Sequence, residues 1–175
     1  MDTGTILTST VVAAVVSGLI SGLYSLYAKQ REYVNEYHSM ILTRRIAAYE
    51  RLESLIIAIK TAVLDTDNRP YHLLFSKDDD WNSAYGLLMN VTAQSLWLSA
   101  EAFNKTQELN YLVFRLNPDG GAIEFGKTNY EKIADLRTDL ERILAIDLLG
   151  LHDIKRFLKH KQTVEKGLRE VPLHR

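Results

Sequence analysis

From Thr3 to Ala28 the chain carries no charged side chain, with Asp2 before the stretch and Lys29 after it. That length exceeds the roughly 20 residues with which a helix crosses the hydrocarbon core of a bilayer. Its centre, Val11-Val12-Ala13-Ala14-Val15-Val16-Ser17-Gly18-Leu19-Ile20, holds nothing that resists transfer into lipid. The sequence therefore predicts a transmembrane helix over residues 1–28 and a cytoplasmic helical domain over residues 29–175. Lys29, Arg31, Arg44 and Arg45 follow the span and nothing basic precedes it. The positive-inside bias then places the N-terminus outside and the domain in the cytoplasm, as in a single-pass protein of the bacterial inner membrane. Tyr24, Tyr27, Tyr33 and Tyr37 fall at and just beyond the inner interface. A cleaved signal peptide would need a basic start and a shorter apolar core, so an uncleaved anchor is expected.

One face of this helix is small. Thr10, Ala14, Gly18 and Gly22 recur every fourth residue, with Ser17 and Ser21 beside them. Such a stripe lets helix backbones approach closely and points to self-association. A pore lined by Ser and Thr is one form this could take, and an ordinary anchor, in which Gly, Ala and Ser are also common, is the other.

The 175 residues leave room beyond the span for one domain of roughly 140 residues. The chain has no cysteine, which removes disulfides and thiolate chemistry. Its net charge of −1 is unevenly spread. Acids outnumber bases from Thr61 to Asp153, most densely at Asp78-Asp79-Asp80, and Lys155, Arg156, Lys159, Lys161, Lys166, Arg169 and Arg175 make the tail basic. Such asymmetry fits contact with anionic lipid or nucleic acid, acidic and basic faces pairing between subunits, or an ordinary solvated face.

Beyond the span, Ile41, Ala48, Leu52, Leu55, Ile56, Ile59 and Val63 follow the three-and-four spacing of an amphipathic helix. With no proline before Pro70 and no glycine between Gly22 and Gly86, the first helix is expected to run to about Leu64, with any bend between Lys29 and Ser39. Asp65 to Pro70 is a connection, and Tyr71 to Phe75 a helical turn or packed loop. Ser76 or one of the three aspartates is expected to cap a helix that runs from Trp81 to Leu116. Asn117-Pro118-Asp119-Gly120-Gly121 is a turn, Ala122 to Phe125 a short extended piece, and Thr128-Asn129-Tyr130-Glu131 a capping box. The helix that box starts ends at Gly150, and a last helix begins near Leu151. The fold class is all-α, an N-terminal transmembrane helix followed by a bundle of about four helices.

None of the five histidines belongs to a zinc-binding spacing, and no phosphate-binding or dinucleotide-binding glycine loop occurs. No metal or cofactor is expected, and His152-Asp153 reads as a helix start. The remaining candidates pair an Arg with a His. Arg156-x-x-x-His160, with Lys155 before it, and Arg31-x6-His38 are the nearest matches to the motif of small helical ribonuclease-like domains of the HEPN superfamily. The resemblance implies an Arg that stabilises phosphate charge and a His that moves the ribose 2′-hydroxyl proton. Arg156 is followed by an apolar Phe157 and its spacing is one residue short of the usual pattern, which points to a degenerate motif.

The apolar helix from Ile6 to Tyr27, the small helical domain, the absence of cysteine and the pair Arg156 and His160 together resemble the small membrane accessory proteins of type VI-B CRISPR systems. These are encoded beside an RNA-guided RNA nuclease. The resemblance covers the full length and rests on architecture. It implies a homo-oligomer that forms a ring-shaped membrane pore in antiviral defence, with membrane lipid, itself, and the nuclease or its RNA products as partners.

Three functions therefore stand side by side. The first is an oligomeric pore or membrane-perturbing effector assembled through Thr10, Ala14, Ser17, Gly18, Ser21 and Gly22. The second is a membrane-tethered ribonuclease using Arg156 and His160. The third is a helical membrane scaffold that binds lipid or a protein partner.

Overall fold

A computed structural model describes residues 3–114 and 121–164, with the side chains of all of these except 3–13, 78–79 and 162–164. Among the described residues the fold is six α-helices, a short antiparallel hairpin and one turn of 3-10 helix. It divides into two compact units, Met1–Ile41 and Leu42–Arg175, and helix α1 (Thr3–Ala58) contributes to both. The helix is unbroken across Lys29 to Ser39, as the lack of proline and glycine there predicts.

In the first unit the large apolar side chains from Val15 to Leu26 are exposed. Among the described residues no helix is long and apolar enough to cross a membrane. The described side chains of the predicted span begin only at Ala14 and meet Lys29 too soon for the roughly 20 residues a crossing needs. The side chains of Ile6 to Ala13, which carry the other half of the apolar run, lie outside those described.

The second unit is a helical bundle, and its core shows why the sequence periodicity works. Ala48, Leu52, Leu55, Ile56 and Ile59 form one buried stripe on and just after α1, spaced three and four apart as one helix face requires. Helices α2 (Asp78–Ala93), α3 (Ala100–Phe114) and α5 (Tyr130–Leu149) supply the opposing stripes. These are Ala84, Leu88 and Val91; Ala102, Leu109, Leu112 and Val113; and Ile133, Leu136, Leu140 and Ile143. Each fully buried Leu or Ile side chain contributes about 1.5–3 kcal/mol.

Five expectations are corrected. Helix α1 stops at Ala58, and Ala62–Leu64 and Pro70–His72 form strands β1 and β2, paired Ala62↔His72, Val63↔Tyr71 and Leu64↔Pro70. The connection between them closes tightly because Asn68 takes a positive φ of 63°, a conformation its short polar side chain tolerates. Asp65 and Asp67 then accept backbone N–H groups of Thr66 and Arg69. The Lys127 ammonium sits 2.6 and 2.7 Å from the same two carboxylates. It holds both below the usual carboxylate pKa.

The long helix expected from Trp81 to Leu116 is two helices, α2 and α3. A continuous helix would place Leu96 on the buried face with Leu88. Instead Leu96 is 63 % exposed, and Leu98, which the break turns inward, is wholly buried. Ser99 restarts the chain as a helix, its hydroxyl accepting the Ala102 N–H at 3.1 Å, the geometry of an N-cap.

Ala122 to Phe125 is not extended but opens helix α4 (Ala122–Thr128). Gly126 lies on the Phe75 ring, where a β-carbon would fall 2.7 Å from Phe75 Cδ2. No capping box forms at the next helix: Asn129 is the N-cap of α5 and makes no side-chain cap, its amide instead donating to Phe125 O. At the head of α2 the Ser76 hydroxyl donates to Asp80, and the N-cap is Lys77, again without a side-chain cap. Gly150 ends α5 as expected, and α6 (Ile154–Val164) follows. Positions 117–120 of the expected turn and the end of the basic tail lie outside the described residues.

Candidate functional site

The network around the end of α5 begins with three residues far apart in sequence. The Tyr49 hydroxyl, on α1, donates to Asp147 Oδ2 at 2.7 Å, and the Ser99 hydroxyl donates to the same oxygen at 2.6 Å. The Ser99 backbone N–H donates in turn to the Tyr49 oxygen at 3.0 Å. Burial and the adjacent Asp147 carboxylate push the Tyr49 phenol up to about 12. With two hydroxyl protons committed to one carboxylate oxygen, the group fastens α1, the start of α3 and the end of α5 at one point.

One turn earlier on α1 lies Arg45, only 4 % exposed. Its Nη1 donates to Leu151 O at 2.7 Å, and its guanidinium carbon stands 4.1 Å from the centroid of the Phe157 ring. Among the described residues no carboxylate lies within ion-pair distance of it, and Nε has no acceptor. Withdrawing such a charge from water costs several kcal/mol. A charged hydrogen bond returns about 1.5–3 kcal/mol and a buried cation–π contact about 2 kcal/mol.

Helix α6 starts where Asp153 accepts the Arg156 N–H at 3.1 Å, an N-cap that answers to the helix start expected at His152-Asp153. Arg156 and His160 follow on its exposed surface, one turn apart. Both line a cleft of about 580 Å³ together with Arg45, Ser99, Asp147 and Phe157. The structure therefore brings the expected Arg/His pair together and sets it beside groups that the motif did not include. Arg31 and His38 lie outside this unit.

Of the small residues expected to pack in the membrane, Ala14, Ser17, Gly18, Ser21 and Gly22 are exposed on α1. A β-carbon on Gly18 or Gly22 would meet nothing within 4 Å. The side chain of Thr10 lies outside those described. Of the basic residues that follow the stretch, Arg44 lies over the Trp97 ring at 5.6 Å and Arg45 is buried, so both take part in the packing of the bundle.

Sequence reasoning missed Arg45, Tyr49, Ser99 and Asp147. One signal was present, since Arg45 stands four residues after Ile41 and three before Ala48, a charge on an otherwise apolar stripe. Among the described residues no group of three or more His, Asp or Glu side chains could hold a metal ion. The chain matches no family model, no curated protein and no solved structure.

Proposed function

We propose that this chain is a membrane-anchored helical protein that self-associates and acts as a pore or membrane-perturbing effector in bacterial antiviral defence. The observation that carries the reading is the two-sided surface of α1. Val15, Val16, Leu19, Ile20, Leu23 and Leu26 are between 49 % and 68 % exposed. At 100° per residue they cover one half of the helix circumference, and Ala14, Ser17, Gly18, Ser21 and Gly22 cover the other. Bulky apolar side chains suit lipid, and a small face suits close helix packing. Thr10 continues the small face in sequence. The basic residues after the stretch favour an N-out orientation in the inner membrane. The resemblance to type VI-B CRISPR accessory proteins supplies the defence role, with an RNA-guided RNA nuclease or its RNA products upstream.

The test is the mass and shape of the full-length protein in lipid nanodiscs, followed by ion conductance in liposomes. A closed ring of several subunits that conducts ions is expected. A monomer or dimer would remove the pore, because too few helices would surround the path.

A second reading, a tethered ribonuclease, is favoured by the placement of Arg156 and His160 on one cleft. It requires metal-independent RNA cleavage by the full-length protein that His160→Ala abolishes, and intact RNA would remove it.

A further inference from the structure

We propose that the cleft beside Arg45 binds a small organic anion, a carboxylate or a phosphate monoester, whose apolar body rests on Ile146, Leu149 and Phe157. This goes beyond the membrane reading and does not depend on it.

The first support is a buried cation with no ion-pair partner among the described residues. Arg45 lines the cleft while nearly wholly buried, its Nε has no acceptor, and no carboxylate among the described residues pairs with it. A guanidinium carries further N–H donors beyond the one that Leu151 O takes, and these suit a carboxylate or phosphate oxygen.

The second support is that the three carboxylates on the cleft wall, which keep their charge, each already accept a neighbouring donor and are matched in number by Arg45, Arg156 and Lys161. Asp147 takes the hydroxyls of Tyr49 and Ser99, Asp153 Oδ1 takes the Arg156 N–H, and Glu101 pairs with Arg142 at 2.9 Å. Helices α3 and α6 both begin at the cleft, at Ser99 and Asp153, and helix starts favour negative charge. Arg156 adds a cation at the exposed edge.

The third support is the apolar lining. Ile146 and Leu149 are 56 % and 81 % exposed beside the buried Phe157 ring. A hydrated inorganic ion would gain nothing from such a wall, whereas an aromatic or aliphatic acid would cover it. The cleft's size lies in the range of about 300–1,000 Å³ that small-molecule sites occupy.

The test uses the full-length protein, in whichever of plain buffer or lipid nanodiscs keeps it in solution, with phenyl phosphate and benzoate as probes and inorganic phosphate and benzyl alcohol as controls. Binding is read by calorimetry and by the NMR signal of the Arg45 Nε–H. At least one organic anion is expected to shift that signal saturably with a Kd of about 1 mM or tighter. Inorganic phosphate and benzyl alcohol should bind about tenfold more weakly or not at all.

Preference for benzoate identifies a carboxylate ligand, and preference for phenyl phosphate a phosphate monoester. Arg156→Gln, at an exposed position, should weaken binding about fivefold, and Arg45→Met should abolish it. If Arg45→Met fails to fold, the NMR shift and Arg156→Gln decide the question. No shift with either anion up to about 20 mM, benzyl alcohol binding as tightly as benzoate, or undiminished binding to Arg156→Gln would overturn the proposal.

Discussion

The Tyr49 hydroxyl donates to Asp147 across 98 positions of sequence at 2.7 Å, and it also accepts the Ser99 N–H. Tyr49→Phe removes both interactions and leaves the Ser99 N–H without that acceptor. A loss of about 1–3 kcal/mol is expected, read as a lower denaturant midpoint with an unchanged slope. The tyrosine's raised pKa adds a pH dependence. In the unfolded chain the phenol ionises near 10, in the fold at about 12. The folded state therefore holds more protons between these values, and stability falls as pH rises from 10 towards 12. An ultraviolet titration should show one tyrosine ionising late, absent in Tyr49→Phe.

His72 gives the opposite slope at the acidic side. It is 1 % exposed, stacks on Tyr130 with ring centroids 4.9 Å apart, and donates from Nε2 to Tyr130 O at 3.2 Å. Burial holds its pKa below the usual value, against the pull of the Tyr130 and Ile59 carbonyls. The unfolded chain thus takes up a proton first, near pH 6.5. Stability is complete above that pH and is lost as pH falls towards the folded-state value. Denaturant midpoints across this window should decline in the natural chain and lose that component in His72→Leu.

Gly126→Ala should destabilise the second unit by about 1–3 kcal/mol, the usual range for overpacking. The added methyl would fall against Phe75, whose ring also packs on Phe125 and Trp81. A smaller penalty for Gly126→Ala in a Phe75→Leu background would locate the cause at that contact. An equal penalty in both backgrounds would place it elsewhere.

Gly18→Leu tests the small face of α1. The position is open, with nothing within 4 Å of a β-carbon, so the single chain should fold as before by circular dichroism. A leucine there would hold neighbouring helices apart, and the particle mass in nanodiscs is expected to fall. An unchanged mass would remove the small face from the assembly.

The helical class and most core stripes were legible because burial on one face leaves a spacing of three and four. Leu136, Leu140 and Ile143 on α5 are found on that face. The α2–α3 break was not legible, because Leu96 and Ser99 continue the same spacing through it. What decides the break is tertiary: Leu98 turns inward and the Ser99 hydroxyl divides its bonds between Asp147 and Ala102. The strand at Ala62–Leu64 was hidden for a related reason, since Val63 fits the helical period as well as an extended one. At the cleft the Arg156 and His160 pair was visible as a spacing. Arg45, Tyr49 and Asp147 were not, because their partners lie about a hundred residues away and leave no local pattern.

That separation has a consequence during synthesis. The buried stripe of α1, from Ala48 to Ile56, shares one core with Leu136, Leu140 and Ile143 of α5, which leave the ribosome much later. At about 5–20 residues per second, the intervening chain takes roughly 5–20 s to emerge. Throughout that interval the nascent first helix presents apolar side chains from both of its segments, one awaiting its intramolecular partners and the other already complete. That interval exposes any slowly translated chain to aggregation through α1.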